Sequence, residues 1–277
     1  MKDRKQNMTN NNDSATRTLI IIGGHEDKES DKVILRELLR HTGDGRIVVT
    51  TVASHQPEGY FQSYEEAFGD LGMKELVELD IPDRLAAHDE EKLSLLEDAA
   101  AVFFTGGDQL KVASQLGCTP VFKRIRQIYQ RGGVIAGTSA GASVMCETML
   151  VKGRSKETHR IGDLHMAPGL GLIRDVIIDQ HFAERGRIGR LLGAIAHNPE
   201  KLGIGIDEDT AIVVQDETHF KVVGSGGVYI ADASEAVYSN IAEGGKDEAL
   251  SLHDLRLHVL SHGDSCDLET RRPKPHK

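Results

Sequence analysis

The sequence lacks the long apolar runs that mark membrane and secreted proteins. No run among its 277 residues approaches the ~20 apolar residues that a membrane-spanning helix needs. The polar N-terminal stretch MKDRKQNMTNNNDSATRT also lacks the apolar segment of a secretory signal. We therefore expect a cytoplasmic protein with no membrane partner.

Cysteine is scarce, with only three residues, Cys118, Cys146 and Cys266, scattered along the chain. An odd number of cysteines without a Cys-x-x-Cys pair argues against both a disulfide framework and a zinc site. We expect buried free thiols in a reducing compartment, and neither a metal nor another cofactor.

Basic residues are outnumbered, 33 against 43 acidic, which gives a formal net charge of −10. A general nucleic-acid-binding protein would carry an excess of Lys and Arg, so no nucleic-acid partner is expected. The hydrophobic fraction of 39% and the charged fraction of 27% are ordinary for a soluble globular protein.

What the chain does contain is a regular alternation of apolar strands and helical segments up to about residue 139. The strands are apolar throughout instead of alternating, which is typical of a parallel sheet covered on both faces. The sequence therefore predicts an α/β fold with a doubly wound, mostly parallel sheet flanked by helices. The predicted strands are 18–24, 46–54, 74–81, 101–107 and 133–139, and the predicted helices are 31–43, 60–72, 89–99, 108–116 and 120–131.

Beyond residue 150 the pattern changes to a C-terminal extension rich in predicted strands. Residues 177–199 begin as a short strand and become a basic helix, and 203–215 and 220–233 read as two strands joined by a turn. One domain is expected, with a disordered tail before it and a loose tail after it. The predicted boundaries are 1–17 for the first tail, 18–262 for the domain and 263–277 for the second tail.

Ser139 lies at a predicted strand-to-helix turn, within Gly137-Thr138-Ser139-Ala140-Gly141. One interpretation is a tight turn that needs small residues for packing. The other is a nucleophile elbow, for which Gly-x-Ser-x-Gly between a strand and a helix is the pattern. In that case the amide of Ala140 would point at a developing oxyanion. From these residues alone both interpretations stay open.

A serine nucleophile needs a base and a group that orients the base. His181 follows the apolar VIID segment and precedes a helix, so it is expected at the carboxyl edge of the sheet. Asp207 or Glu208, after the apolar GIGI segment, could hold the imidazole. The alternatives are a solvated histidine and an acidic hairpin turn. The order Ser, His, acid differs from the Ser, acid, His order of α/β-hydrolases and disfavours that fold.

Four blocks in order, FTGGDQ (104–109), AGTSAGA (136–142), DQHFAERGRIGRL (179–191) and GIGIDEDTA (203–211), resemble the cyanophycinases. These are serine exopeptidases related to aspartyl dipeptidases and, more distantly, to class I glutamine amidotransferase domains. The resemblance extends from about residue 18 to about residue 233. The third block is the most discriminating, because simple aspartyl dipeptidases are not expected to carry it.

The resemblance implies a flavodoxin-like or glutamine-amidotransferase-like fold, a homodimer and a set of site residues. Ser139 would be the nucleophile, His181 the general base and Glu208 the third triad member. The backbone amides of Gly107 and Ala140 would form the oxyanion hole. The residues matched to substrate recognition or to the arrangement of the pocket are Asp108, Gln109, Asp179, Gln180, Arg185, Arg187 and Arg190.

The implied substrate is cyanophycin, a poly-aspartate chain with an arginine on each side-chain carboxylate, and the implied product is the β-Asp-Arg dipeptide. Arginine side chains suit its carboxylates, and Asp179 suits a guanidinium, through charge-assisted hydrogen bonds. The alternative for the three arginines is a solvated basic helix face. Gly186 and Gly189 argue against an ordinary helix there, since each glycine weakens a helix by ~1 kcal/mol.

Three other functions are weighed against this one. The first is an aspartyl or isoaspartyl dipeptidase that acts on short peptides. The second is a glutamine amidotransferase, which is disfavoured because its chemistry needs a cysteine where this chain has Ser139. The third is a non-catalytic binding module, against which the open glycine pair of FTGGDQ argues.

Overall fold

The structure, a computed structural model, describes residues 16–54, 59–153 and 159–277. The predicted disordered tail thus falls almost entirely outside the described residues. In these ranges the helices are α1 (Val33–Thr42), α2 (Tyr60–Asp70), α3 (Glu90–Ser94), α4 (Gln109–Leu116), α5 (Pro120–Gln130), α6 (Ala140–Ser143) and α7 (Ile188–His197), with a short 3-10 helix at Ala86–His88. The strands are β1 (Thr18–Ile22), β2 (Ile47–Thr50), β3 (Leu76–Leu79), β4 (Ala101–Phe104), β5 (Val134–Thr138), β6 (Thr148–Lys152), β7 (His165–Pro168), β8 (Val176–Gln180), β9 (Leu202–Ile206), β10 (Thr210–Gln215), β11 (His219–Gly224), β12 (Val228–Asp232), β13 (Tyr238–Ser239), β14 (Leu252–His253), β15 (Arg256–Leu260), β16 (Ser265–Asp267) and β17 (Arg272–Lys274).

Nine strands of the described chain form one sheet in the order β17-β16-β11-β10-β1-β5-β4-β2-β3. The five strands from β1 to β3 in this order pair in parallel. The other four pair antiparallel. Short turns join β10 to β11 and β16 to β17, whereas the pairs β1–β10 and β11–β16 bring together distant parts of the chain. The predicted α/β architecture is confirmed, but the sheet is mixed and not mostly parallel.

Helices cover both faces of this sheet. Leu35 of α1 and Phe68 of α2 pack on one face, and Val112 of α4 and Ile125 of α5 pack on the other, all of them fully buried. Burying one such side chain contributes about 1.5–3 kcal/mol to folding. The apolar strand runs of the sequence thus supply a core on each side. Among the helices of the described ranges, none has both the length and the apolar character needed to cross a membrane.

A second sheet, in the order β15-β12-β9-β8, lies beside the first within the described chain. One of its faces joins the main core through Ile178 and Ile204. Its other face is covered by α7, where Leu191 and Ile195 pack with Ala231. This stacking brings the carboxyl end of β8 next to the carboxyl end of β5.

The two long strands predicted at 203–215 and 220–233 are each divided between the two sheets. Their first halves are β9 and β11 and their second halves are β10 and β12. The first strand is divided at Asp207, directly after β9. The Asp207 carboxylate accepts hydrogen bonds there from the N–H groups of Ala183 at 2.9 Å and Gly227 at 3.0 Å. The acidic segment after β9 is therefore a crossing between two sheets and not a turn within one strand.

The prediction of a loose tail at 263–277 is wrong. β16 pairs with β11, and β17 pairs with β16, so this segment extends the large sheet. Asp264 holds the returning chain by accepting hydrogen bonds from the N–H groups of Ser261 at 2.9 Å and His276 at 2.8 Å. Arg271 donates to the buried carboxylate of Asp232 at 2.6 Å. The segment is polar, but backbone pairing and these side chains keep it in place.

Candidate active site

Ser139 occupies the turn between β5 and α6, where its backbone adopts φ 54° and ψ −112°. Few non-glycine residues adopt a positive φ, and strained backbone of this kind clusters at functional sites. The N–H of Ser139 donates to the carbonyl oxygen of Ile22 at 3.0 Å. A Cβ at Gly141 would lie 2.3 Å from the carbonyl oxygen of Phe104, so the turn also needs a small residue for packing. The two interpretations of the turn are therefore compatible, since it needs small residues for packing and also directs the Ser139 hydroxyl.

The Ser139 hydroxyl, His181 and Glu208 form a continuous hydrogen-bonded relay. Ser139 Oγ lies 2.8 Å from His181 Nε2, and His181 Nδ1 lies 2.6 Å from Glu208 Oε1. An ionised carboxylate can only accept, so Nδ1 carries the ring proton and Nε2 is left to accept from the serine hydroxyl. This is the tautomer in which a histidine can act as a general base towards serine.

His181 is held by its backbone as well as by its ring. It follows β8 with φ 47°, and its N–H donates to the carbonyl oxygen of Gly23 at 2.8 Å. Burial lowers the pKa of the imidazole, the hydrogen bond with Glu208 opposes this shift, and Arg185 adds to it. The ring is therefore neutral at neutral pH and free to take a proton.

The three acids of the crossing segment have separate partners. Asp207 is engaged by backbone N–H groups, as described above, and Asp209 accepts from Ser225 Oγ at 2.7 Å. Glu208 is the one of the three whose carboxylate contacts His181. The choice between Asp207 and Glu208 that the sequence left open is thus decided for Glu208 in this structure.

The relay opens into a cavity of about 550 Å³. This volume lies within the range of about 300–1,000 Å³ typical of small-molecule sites. The lining contains four basic side chains, from Lys28, Arg185, Arg187 and Arg190, and one acidic side chain outside the relay, from Glu26. Of the residues predicted for the site besides the relay, those that line the cavity are Gly107, Gln109, Gln180, Arg185, Arg187 and Arg190.

Comparison with known proteins shows the family of the chain. The family model "Peptidase family S51" matches residues 19–222, well over half of the chain. The chain belongs to peptidase family S51. The S51 peptidase is 41% identical to a protein named cyanophycinase from Geminocystis herdmanii, over 92% of this chain and 95% of the relative. It is 42% identical to a cyanophycinase from Trichormus variabilis, over 94% of this chain and 89% of the relative.

The resemblance of the S51 peptidase to the cyanophycinases, inferred from four sequence blocks, is therefore confirmed. Among solved structures, a peptidase from an acI-B1 actinobacterium is similar in fold. It superposes with a TM-score of 0.62 at 24% identity and covers 88% of this chain and 98% of its own. At that identity the likeness concerns the fold alone.

Of the two roles predicted for Asp179, the arrangement of the pocket fits its place in the S51 peptidase, and direct binding of substrate does not. The Asp179 side chain is 0% exposed, and it accepts from Arg187 Nη1 at 3.1 Å and from Arg190 Nε at 2.8 Å. The prediction that it binds a substrate guanidinium directly is corrected, because two arginines already occupy the buried carboxylate. Arg187 also donates to Gln180 Oε1 at 2.8 Å, and burial lowers its pKa to about 10. Asp179 thus positions the two arginines that line the cavity.

Asp108 and Gln109 act on the walls of the cavity through backbone groups. Asp108 is the N-cap of α4, where it accepts from the N–H of Leu110 at 2.8 Å, and it is not part of the cavity lining. Gln109 lines the cavity and donates its side-chain amide to the carbonyl oxygen of Leu150 at 2.9 Å. These contacts hold the start of α4 and the β6 strand on one side of the site.

The predicted oxyanion hole has a suitable setting. Gly107 lines the cavity with φ 145°, and a Cβ there would lie 2.1 Å from the carbonyl oxygen of Ala53, so only glycine fits. Ala140 begins α6 directly after Ser139, where the first N–H groups of a helix have no partner within it. The role of both amides stays a prediction.

Sequence reasoning missed one wall of the cavity, built by the loop after β1 and by α2. Glu26 is buried there and accepts from Thr138 Oγ1 at 2.6 Å and from the hydroxyl of Tyr64. Lys28 Nζ lies 3.7 Å from Glu26 and 4.5 Å from the centre of the Tyr64 ring. The signal was available in GGHEDK (23–28), which directly follows the carboxyl end of β1. The lining residues missed are His25, Glu26, Lys28, Tyr60, Tyr64, Gly106, Thr138 and Val151.

Proposed function

We propose that this S51 peptidase is a serine exopeptidase that hydrolyses cyanophycin and releases β-Asp-Arg dipeptides from the carboxyl end of the polymer. The observation that carries the proposal is the Ser139–His181–Glu208 relay at a cavity with four basic side chains. Every unit of cyanophycin bears a carboxylate that such side chains can bind. The names of the relatives at 41% and 42% identity support the same polymer.

The acylation step starts at the serine hydroxyl. Ser139 Oγ attacks the carbonyl carbon of the scissile peptide bond while its proton passes to His181 Nε2. The negative charge that develops on the carbonyl oxygen is placed near the amides of Gly107 and Ala140. His181 then donates the proton to the leaving amine, the C–N bond breaks, and an ester to Ser139 remains.

The deacylation step repeats the same proton path with water. His181 Nε2 takes a proton from a water molecule, whose oxygen attacks the ester carbonyl. The proton then returns to Ser139 Oγ as the acid product leaves. Glu208 accepts from Nδ1–H throughout and stabilises the imidazolium that each step forms.

Recognition of the substrate is divided between the two walls of the cavity. Arg185, Arg187 and Arg190 suit the substrate carboxylates, since guanidinium and carboxylate groups form paired hydrogen bonds. On the wall formed by α2, Tyr60, which is 45% exposed, offers an aromatic face to a substrate guanidinium. Asp179 acts indirectly by fixing Arg187 and Arg190.

The proposal extends to the finer fold class, that of flavodoxin-like proteins and class I glutamine amidotransferases. The support is that the strand order reverses at β2, with β3 on one side and β4 on the other, and that helices cover both faces. The free thiols of Cys118, Cys146 and Cys266 support a reducing location such as the cytoplasm. The homodimer stays a prediction.

Incubation with purified cyanophycin tests the substrate. Mass spectrometry of the products is expected to show β-Asp-Arg as the main species, accumulating from the first time points as an exopeptidase requires. Aspartyl and isoaspartyl dipeptides, supplied at matched concentration, are the competing substrates. Hydrolysis of these short peptides without turnover of the polymer would replace the proposal with a dipeptidase.

The pH dependence of hydrolysis follows from the environment of His181. The neutral ring is the base, and burial lowers its pKa below the ordinary value of 6.5, so the acidic limb should be centred below pH 6.5 and the rate should level off above neutral pH. The measurement is kcat/KM against pH. Since the positive charge of Arg185 also lowers this pKa, Arg185→Ala should move the acidic limb to higher pH. A wild-type limb centred above 6.5 contradicts the expectation.

A further inference from the structure

A second histidine, His25, lies directly beside the catalytic relay. Its Nε2 is 3.9 Å from Glu208 Oε1, and its ring meets the His181 ring edge-on at a centroid distance of 5.3 Å. The side chain of His25 is 70% exposed, so it can change its rotamer at little cost. Among the residues that the structure describes, these three are the one group of three metal-ligating side chains whose ligand atoms all lie within 4.8 Å of one another.

Two imidazole nitrogens and one carboxylate oxygen form a ligand set that zinc binds well. Zinc lies about 2.0–2.2 Å from such atoms, and with three protein ligands it takes water in the fourth position. Tetrahedral bonds of this length separate neighbouring ligand atoms by about 3.3–3.5 Å. The distance between His181 Nδ1 and Glu208 Oε1 would therefore increase from 2.6 Å. The distance between His25 Nε2 and Glu208 Oε1 would decrease from 3.9 Å. The movement falls on two partly exposed side chains, while the buried His181 stays in place.

We propose that His25, His181 and Glu208 form an inhibitory zinc site. The ion takes the lone pair of His181 Nδ1 in place of the proton shared with Glu208. The neutral ring then carries its proton on Nε2, so the proton moves within the ring and none is released. With N–H facing Ser139 Oγ, the imidazole can no longer accept the serine proton, and hydrolysis stops until the metal leaves.

The local charges allow a dication at this position. Glu208 contributes one negative charge, and Glu184 brings a second carboxylate close by, since its Oε1 accepts from the N–H of Glu208 at 3.3 Å. Arg185 opposes the cation, but its side chain is exposed and can turn into solvent.

The test is a titration of the metal-free protein with ZnCl2 against a chromophoric zinc chelator. Wild type is expected to bind one zinc ion per chain more tightly than the His25→Ala variant, by about 10-fold or more. In parallel, the rate of polymer hydrolysis should fall with zinc occupancy and return with EDTA. Each variant is compared with its own zinc-free rate, and His25→Ala should need about 10-fold more zinc for the same inhibition.

A matched control is His41→Ala, because His41 lies 3.4 Å from Glu37 on α1 and offers a histidine–carboxylate pair outside the cavity. This variant should bind zinc and respond to it as wild type does. Equal zinc affinity in wild type and His25→Ala, or binding without inhibition, would overturn the site. Binding is measured without a substrate, so failure of the cyanophycin assignment stays distinguishable. If cyanophycin is not the substrate, zinc inhibition is measured as the fall in the rate at which a fluorophosphonate labels Ser139.

Discussion

Replacement of Ser139 by alanine is expected to reduce peptide hydrolysis by about 10⁴-fold or more. The reason is geometric, since Ser139 Oγ is the atom 2.8 Å from His181 Nε2 and its removal leaves the base with nothing to activate. Binding of the polymer should persist, because the basic side chains of the cavity are unchanged. The measurements are product release by chromatography and co-sedimentation of the variant with insoluble polymer.

Ser143→Ala is the matched control for this variant. Ser143 is buried one turn further along, where its hydroxyl accepts from Gln180 Nε2 at 3.4 Å. It meets the relay only through its backbone N–H, which donates to the carbonyl oxygen of Ser139 at 3.1 Å and which the substitution keeps. Loss of a single long hydrogen bond costs about 1 kcal/mol, so hydrolysis should stay within about 10-fold of wild type. Comparable activity in Ser139→Ala and wild type would remove Ser139 from the mechanism and favour the binding-module hypothesis.

Replacement of Asp179 by alanine is expected to lower the free energy of unfolding by about 3–5 kcal/mol. Asp179 is fully buried between Arg187 and Arg190, and without it two buried guanidinium groups face each other unneutralised. Urea denaturation followed by circular dichroism measures the loss. The folded fraction of this variant should also show a raised KM for the polymer, because both arginines line the cavity.

Asp232→Ala separates the two effects. Asp232 is also buried and also holds two arginines, with Arg271 Nη1 at 2.6 Å and Arg256 Nη1 at 3.5 Å, but it lies outside the cavity lining. The Asp232→Ala variant should also have a lower free energy of unfolding than wild type, while its KM for the polymer stays at the wild-type value. If both variants raise KM equally, Asp179 contributes only to stability and not to substrate recognition.

The parallel half of the fold could be predicted because buried parallel strands appear as continuous apolar runs. TLIII, AVFF and VIAGT in β1, β4 and β5 are fully buried on both faces, and the sequence shows them without ambiguity. The antiparallel half could not be predicted in the same way. There, single polar residues such as Asp207 and Asp264 direct the backbone, and composition does not show which N–H groups a carboxylate will meet.

The relay was predictable for a different reason. Ser139, His181 and Glu208 each follow an apolar strand, and ligands bind at the carboxyl ends of such strands. The sequence did not show that β5 lies in the large sheet while β8 and β9 lie in the small one, with their carboxyl ends adjoining. Asp179 was expected to meet a substrate guanidinium because a residue near the end of a strand, two positions before His181, can point either into the cavity or into the protein. Its side chain points inwards, where two arginines from the following segment neutralise it. The wall with Lys28 was missed because GGHEDK matches no known motif beyond its glycine pair, although its charged residues directly follow the carboxyl end of β1.

Ser139 and His181, the proposed nucleophile and base, are both hydrogen-bonded to neighbouring peptide units at the end of β1. Ser139 follows a strand of the large sheet and His181 follows a strand of the small one, yet their N–H groups bond to the carbonyls of Ile22 and Gly23. Sliding of one sheet over the other would have to break these two main-chain bonds before nucleophile and base could separate. The distance between them is thus protected from drift at the junction of the sheets. The distance between Ser139 and His181 should therefore stay unchanged when the side chain at position 22 is replaced or when either core is repacked.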